Sequence, residues 1–484
     1  MSPGSGPGAS AVQVPVDARP GETRPRAAQG SGADSRPRRP RILGLDLFRV
    51  LVVAFVVGVH TLSFGVATST PVGAFVTVFH TSRELFFLLT AFVLTYNYGQ
   101  RDGIRWRPFW RKRYALVVPA YLAWSAIYFC FDHQRLDPVS GTLLHFGRDL
   151  LDGGARYQMY FLLVTMQVYL AFPLLRWLQR RTAGHHLALL AAACGYQVAF
   201  TLAVQHHLVT SGVVGSYLRD PSPWLPSYVL YVVAGGVAAW HFERLAAFTR
   251  RHTALAVPAF AAGLCAGLGA YFGAIVAAGQ SPVTASAVFQ PAVIAESLCF
   301  GWALLAAALA WTDAGARHRR LISAGADGSF GIYLAHPLLL QGALALASVT
   351  GVLAALRAAP AGLEIAAVLG IGVPLIYGLS GVLVALARRT PLSLPLTGRR
   401  MDRRPAASPA PPSPARPAVP TPAAPVWLAP APSARPSPQP VEEPSCVTPV
   451  TPFISPFPLS ISTRRSASTS AASAPSSPAA TPTG

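Results

Sequence analysis

Ten apolar segments, each of about 20 residues, constrain this 484-residue chain more than any other feature of its sequence. A helix of about 20 apolar residues crosses a hydrocarbon layer of about 30 Å. Of all residues, 52% are hydrophobic and only 12% are charged. We therefore predict an all-α, polytopic membrane protein with about ten transmembrane helices. The segments lie near residues 43–66, 74–98, 114–131, 157–178, 186–207, 225–242, 253–278, 285–311, 327–349 and 363–387.

Two polar tails flank this apolar region. Residues 1–40 and 399–484 are rich in Gly, Pro, Ser, Ala, Thr and Arg and show no hydrophobic periodicity. Such compositions bury too little apolar surface to fold, so we predict that both tails are disordered. The predicted division is therefore an N-terminal tail over 1–40, a transmembrane domain over 41–398 and a Pro/Ser/Ala-rich tail over 399–484.

Positive charge alternates between successive loops. The net charge is +20, and Lys112 is the only lysine. Arginines concentrate in the N-terminal tail, in loop 101–113 and in every second loop after it, whereas the intervening loops carry few. Because cytoplasmic loops carry the excess of positive residues, we predict a multi-pass plasma-membrane protein with both termini cytoplasmic. Topology explains the basic balance better than nucleic-acid binding, which we do not expect.

The first apolar segment contains two groups that an apolar helix does not need, Arg49 near its start and His60 deep inside. They are eleven residues apart, so they share one helix face about 16 Å apart along the axis. A charge inside a membrane helix costs about 2.5–3.5 kcal/mol, which makes both functional candidates. The alternative is that Arg49 reaches the lipid headgroups and His60 is a packed histidine.

Other ionisable residues inside the apolar segments are few. His80 and Glu84 lie four residues apart and so on one helix face, and Glu84 could orient a histidine. The alternative is that Arg83 and Glu84 neutralise each other. Glu296 stands alone and is expected to bond a neighbouring helix, and His336 is either ligand-facing or a cap beside Pro337. The five cysteines form no Cys-x-x-Cys pair, so we predict neither a metal site nor a disulfide framework.

Four sequence blocks, in their order along the chain, resemble motifs of the membrane acyltransferase 3 family. Each block is similar to a family motif, and the ten residues between Arg49 and His60 match the family spacing. One departure is that the second arginine of the family's Arg-x-x-Arg is missing, since Arg113 is followed by Tyr-Ala-Leu. The blocks are Leu-Asp-Leu-Phe-Arg at 45–49 with His60, Glu-Leu-Phe-Phe-Leu-Leu-Thr-Ala-Phe at 84–92, the basic loop with Pro-Ala-Tyr at 109–121, and Gly-Ser-Phe-Gly-Ile-Tyr-Leu-Ala-His-Pro at 328–337.

The resemblance implies an enzyme that transfers an acyl group, commonly acetyl, from cytoplasmic acyl-CoA to a hydroxyl. The implied acceptor is a carbohydrate, a glycolipid or a secreted small molecule, and membrane lipid surrounds the protein. Acyl-CoA would be the donor, and no permanently bound cofactor or metal is expected. Direct transfer and transfer through an acyl-histidine both remain open.

Roles for individual residues follow from this expectation. A neutral His60 would act as general base toward the acceptor hydroxyl, with Glu84 orienting it. Arg49 would steady the phosphate or pantetheine part of the donor, and Asp46 would hold Arg49. Loop residues would bind the donor phosphates, and two residues of the fourth block would lie on the acceptor side. The loop residues are Arg107, Arg111, Lys112 and Arg113, and the acceptor-side residues are Tyr333 and His336.

Three alternatives remain open at the level of the sequence. Membrane topology alone would also explain the charge of loop 101–113. Ten spans with buried His, Arg and Glu also suit a transporter or flippase for a polysaccharide or lipid-linked sugar, although we see no inverted repeat. A third reading is a structural or sensor protein whose buried charges serve only to pair helices.

The charge pattern makes a direct prediction about topology. A reporter that is active only in the cytoplasm should be active when fused to the C-terminus, because both termini are predicted to be cytoplasmic. The same reporter fused within loop 208–224 is the control and should be inactive. Activity of a C-terminal reporter only outside the cell would contradict the predicted orientation.

Overall fold

The computed structural model describes residues 40–132 and 139–401, which lie within one compact unit. These residues are helical and contain no β-strand. Nine of their helices are long and apolar enough to cross a membrane, and a bent helix pair brings the number to ten. The predicted all-α class with about ten spans is therefore confirmed. Nearly all of both predicted tails lies outside the described residues.

Seventeen α-helices follow one another along the described chain. They are α1 (Gly44–Gly65), α2 (Thr70–Tyr98), α3 (Trp106–Asp132), α4 (Val139–Asp152), α5 (Tyr160–Arg181), α6 (His186–Gln205), α7 (Gly212–Arg219), α8 (Val229–Trp240), α9 (Phe242–Arg251), α10 (Ala256–Ala278), α11 (Pro282–Ala285), α12 (Pro291–Asp313), α13 (Arg319–Val349), α14 (Val352–Ala358), α15 (Ala361–Ala367), α16 (Val373–Ala387) and α17 (Ser393–Thr397).

Two predicted segments are not single straight α-helices. The segment near 225–242 begins with a 3₁₀ turn and continues as α8, and the chain then bends by 87° into the charged helix α9. The last segment consists of α15 and α16 joined by a π-helical turn at Val368–Gly372. Pro374 lies just beyond that turn and lacks a backbone N–H, so regular hydrogen bonding cannot continue through it.

Helix α1 is the central element of the bundle. It packs against α2, α12, α13 and α16, and its Val52, Val53 and Val57 are fully buried. Small residues allow close packing elsewhere: a Cβ at Gly235 of α8 would lie 2.0 Å from the backbone oxygen of Leu88 in α2. Close backbone approach of this kind is how membrane helices gain packing contacts without a hydrophobic driving force.

An ionic network joins three parts of the chain at the end of the bundle where α1 begins. Arg41 lies 2.8 Å from Asp46 and 3.3 Å from Asp327. Arg399 lies 2.8 Å from Asp327, and the hydroxyl of Ser323 donates to Asp46 over 2.9 Å. Its hydrogen bond to Asp46 raises the pKa of Arg41. We call this end, which also includes loop 101–113, the arginine-rich end.

Candidate active site

Four cavities lie in series between the arginine-rich end and the opposite end of the bundle. We name them the basic basin, the arginine cavity, the histidine cavity and the outer cavity. Each shares lining residues with the next: Leu116 joins the first two, and His80 and Val288 join the last two. Phe86, Phe161 and Tyr333 line both the arginine and the histidine cavities. The shared residues therefore place the four cavities next to one another along the bundle.

The arginine cavity, of about 230 Å³, is lined by three arginines and by no carboxylate. They are Arg49, Arg113 and Arg399. Arg113 lies over the ring of Tyr169, at 5.7 Å from its centroid. Arg49 makes no hydrogen bond or ion pair with any residue in the described ranges. Arg399 pairs with Asp327, which is not among the lining residues, so the cavity itself presents guanidinium groups and no carboxylate. Such a lining is suited to an anion, and arginine binds phosphate through two parallel hydrogen bonds.

The basic basin holds the other three residues of loop 101–113 that were predicted to bind the donor. Arg107, Arg111 and Lys112 line it together with Arg105 and Arg400. Arg113 is separate from them because it lines the adjacent arginine cavity. The four residues predicted to bind the donor lie in the first turns of α3 and not in a loop, because the helix already begins at Trp106. The start of α3 therefore supplies positive charge to two neighbouring cavities, both at the arginine-rich end.

The histidine cavity, of about 120 Å³, contains the imidazole of His60. Three rings surround that imidazole, with centroids at 4.5 Å for Tyr157, 5.4 Å for His336 and 6.4 Å for Phe64. Neither ring nitrogen of His60 has a hydrogen-bond partner among residues 40–132 and 139–401. The ring is therefore positioned by packing, and its nitrogens are free to bond a substrate.

The neighbouring histidines differ from His60 in this respect. The Nδ1 of His336 lies 2.7 Å from the carbonyl oxygen of Tyr333, and the Nδ1 of His80 lies 3.0 Å from that of Ser286. Because a carbonyl only accepts, each of these nitrogens carries the proton and donates it. His60 is thus the one of these three whose two nitrogens are both uncommitted.

Glu84 and Asp46 have partners other than those expected from the sequence. The Arg83 Nε donates to Glu84 over 2.9 Å, as in the alternative of a self-neutralising pair. Arg83 lines the histidine cavity, whereas Glu84 is not among its lining residues. Asp46 bonds Arg41 and Ser323. The orienting roles predicted for Glu84 toward His60 and for Asp46 toward Arg49 stay predictions.

Three aromatic side chains separate the arginine cavity from the histidine cavity. The ring centroids of Phe86 and Phe161 are 5.3 Å apart, and those of Phe161 and Tyr333 are 5.0 Å apart. The Tyr333 hydroxyl donates to the carbonyl oxygen of Gln158 over 2.6 Å, which fixes its ring. We call these three residues the aromatic partition. Sequence reasoning did not assign a role to Phe86, to Phe161 or to Tyr157, because their shared position depends on contacts between distant segments.

The outer cavity, of about 670 Å³, differs in character from the arginine cavity. Its lining contains hydroxyl, amide and imidazole groups but no Asp, Glu, Lys or Arg. The polar members are Ser63, Thr68, His80, Gln205, His207, Gln280, Thr284, Ser286 and Gln290. This lining is suited to an uncharged molecule that carries hydroxyl groups.

Within the part of the chain that the structure describes, no group of three or more His, Cys, Asp or Glu residues is arranged to hold a metal ion.

Comparison with known proteins gives one match. The acyltransferase 3 family model, described as an acyltransferase domain, matches residues 42–387. No curated protein and no solved structure matched the chain. The match covers well over half of the chain and includes Arg49, His60 and all three residues of the aromatic partition. It ends before Arg399 and Arg400.

The order of the cavities predicts which reagents reach them. In a chain whose five cysteines are replaced by serine, we expect Ser63→Cys and Arg107→Cys to react with a membrane-impermeant maleimide from opposite sides of the membrane. The reason is that Ser63 lines the outer cavity and Arg107 the basic basin. Phe87→Cys, at a fully buried position, is the unreactive control. Labelling of both test positions from one side would contradict the arrangement.

Proposed function

The chain belongs to the acyltransferase 3 family of membrane acyltransferases, and from that premise we propose a specific reaction. The enzyme transfers an acyl group, commonly acetyl, from acyl-CoA to a hydroxyl of a carbohydrate, a glycolipid or a secreted small molecule. The observation that carries the proposal is the adjacency of the acid-free arginine cavity and the histidine cavity with its uncommitted imidazole. We further propose that the arginine-rich end is cytoplasmic and that the membrane is the plasma membrane.

Charge at the arginine-rich end supports binding of the donor there. Acyl-CoA carries phosphate groups, and the arginine cavity and basic basin present Arg49, Arg113, Arg107 and Arg111 without a lining carboxylate. Guanidinium groups recognise phosphate in bidentate geometry. With its phosphates held there, the pantetheine arm would extend toward the aromatic partition and carry the thioester to the histidine cavity.

His60 would act as the general base. One imidazole nitrogen takes the proton from the acceptor hydroxyl while the oxygen attacks the thioester carbon. The new C–O bond forms, the C–S bond breaks, and the CoA thiolate takes the proton from the imidazolium to leave as the free thiol. General-base catalysis of this kind contributes about 10²–10⁴-fold. The acceptor would enter through the outer cavity, which shares His80 with the histidine cavity.

Cavities in series would also suit a transporter or flippase for a polysaccharide or lipid-linked sugar. Such a protein would move its substrate unchanged. The appearance of an acyl ester on the substrate therefore distinguishes the two functions.

Replacing the two key residues tests the proposed reaction. His60→Ala should lower acyl transfer by about 10²–10⁴-fold because the general base is lost. Arg49→Ala should raise the KM for acyl-CoA because a phosphate contact is lost. Mass spectrometry of surface glycans and secreted small molecules, comparing deletion cells complemented with each variant, measures the mass increment of the acyl group.

Two exposed residues provide matched controls for these variants. His185→Ala and Arg389→Ala lie outside the four cavities and should leave the acyl product at the wild-type level. Wild-type product in cells that carry His60→Ala would reject the assignment of the base. An unmodified substrate that changes only its side of the membrane would favour the transporter.

The contact between Tyr157 and His60 makes a separate prediction. Tyr157→Ala removes the nearest ring, at 4.5 Å, and should lower kcat about tenfold because the imidazole loses its orientation. Tyr157→Phe keeps the ring and should retain most activity. An inactive Tyr157→Phe enzyme of normal abundance would show that the hydroxyl is needed.

A further inference from the structure

We propose that Arg399 and Arg400 complete the donor-phosphate site from a segment that lies beyond the matched acyltransferase domain. The family model ends at residue 387, whereas Arg399 lines the arginine cavity and Arg400 lines the basic basin. The inference rests on the proposed function, because it concerns the same donor. It adds two binding residues, Arg399 and Arg400, which are the first two residues of the predicted C-terminal tail.

The segment that carries these arginines is fixed against the domain. The indole N–H of Trp124 in α3 donates to the carbonyl oxygen of Leu396 over 3.1 Å. The hydroxyl of Ser393 donates to the carbonyl oxygen of Arg399 over 2.8 Å. These two contacts hold α17 and the turn after it in place at the cavity.

Gly398 sets the direction of the chain just before Arg399. Its φ of +64° is in the left-handed region, which glycine adopts without a steric penalty. A Cβ at this position would lie 2.5 Å from the ring of Phe330. Glycine therefore allows the turn to approach α13 closely, and Arg399 follows directly at the cavity wall.

Asp327 positions Arg399 without removing the positive character of the site. The Asp327 carboxylate lies 2.8 Å from Arg399 and 3.3 Å from Arg41, which is itself 2.8 Å from Asp46. Among the described residues, Arg49 and Arg113 in the cavity lining have no such acid partner. The Arg399 side chain remains 48% exposed, which leaves it able to bind a second anion. Asp327 is not among the residues that line the arginine cavity, so it does not compete there for the anion.

Leu116 lies at the boundary between two cavities, which explains why Arg399 and Arg400 line different ones. Leu116 lines both the arginine cavity and the basic basin, and its carbonyl oxygen is 3.4 Å from the position of a Cβ on Gly398. Arg399 and Arg400 follow Gly398 and contribute one guanidinium to each side of this boundary. The chemical group that fits is a chain of phosphates, as in acyl-CoA, although the phosphate of a lipid headgroup has the same chemistry.

Two donors provide the test, one with the phosphates and adenosine of CoA and one without them. The full-length enzyme is assayed in phospholipid-free detergent with acetyl-CoA and with acetyl-pantetheine, which has no phosphate. Arg399→Gln should raise the KM for acetyl-CoA about tenfold and leave kcat unchanged, because one charge-assisted contact is lost. Arg400→Gln should act in the same direction. Neither variant should change kcat/KM for acetyl-pantetheine, and Arg399→Lys should restore part of the affinity.

Arg389→Gln is the matched control, since Arg389 is exposed, lies in the same segment and lines neither cavity. An equal loss with both donors would show a structural role and overturn the proposal, as would an unchanged KM for acetyl-CoA in both variants. An effect that appears only when phospholipid is added would assign the arginines to a lipid headgroup and also overturn it. If the wild type shows no His60-dependent turnover of either donor, the proposed function itself fails.

Discussion

The structure depends on how an apolar bundle accommodates charged and titratable side chains. Such a group is costly inside a membrane helix unless it pairs with another group or lies in a cavity. Arg41, Asp46, Asp327 and Arg399 pair with one another in the network at the arginine-rich end. Arg49 lies only one turn of helix from Asp46 but lines a cavity instead. The same helix places His60 at the next cavity, so α1 brings both unusual groups onto the path between the two ends.

The cavities differ in charge in a way that matches two reactants of different chemistry. Five positive side chains line the basic basin, and three line the arginine cavity, with no acid in either lining. The outer cavity has no charged lining residue at all. An anion is therefore attracted to one end, whereas a neutral, hydroxylated molecule would meet amide and hydroxyl groups at the other, as the proposed donor and acceptor require. This asymmetry favours a two-substrate enzyme over a carrier, which would need to bind the same molecule from both sides.

Features of the site that depend on a single helix were predictable from the sequence, and features that depend on contacts between helices were not. The spacing of Arg49 and His60 is enough to put them on one face of α1. The partner of Glu84 was open because Arg83 and His80 are both within reach along α2. The polar composition of residues 399–484 places Arg399 in a predicted tail, whereas its contact with Asp327 spans 72 residues and cannot be predicted from composition. Leu116 occupies the sequence position at which the family often has a second arginine. The turn at Gly398 places Arg399 in the lining of the same cavity as Leu116.

The aromatic partition lies between the arginine cavity and the histidine cavity, and the proposed chemistry needs a barrier there. A thioester that shared a water-filled channel with an activated hydroxyl site would be exposed to hydrolysis, so the two cavities benefit from a barrier. Phe86, Phe161 and Tyr333 provide one at the boundary between the arginines and His60. In the proposed reaction, a thin pantetheine arm would pass this boundary while the phosphates remain with the arginines. The small volume beyond the partition, about 120 Å³, would suit a short acyl group in the proposed reaction.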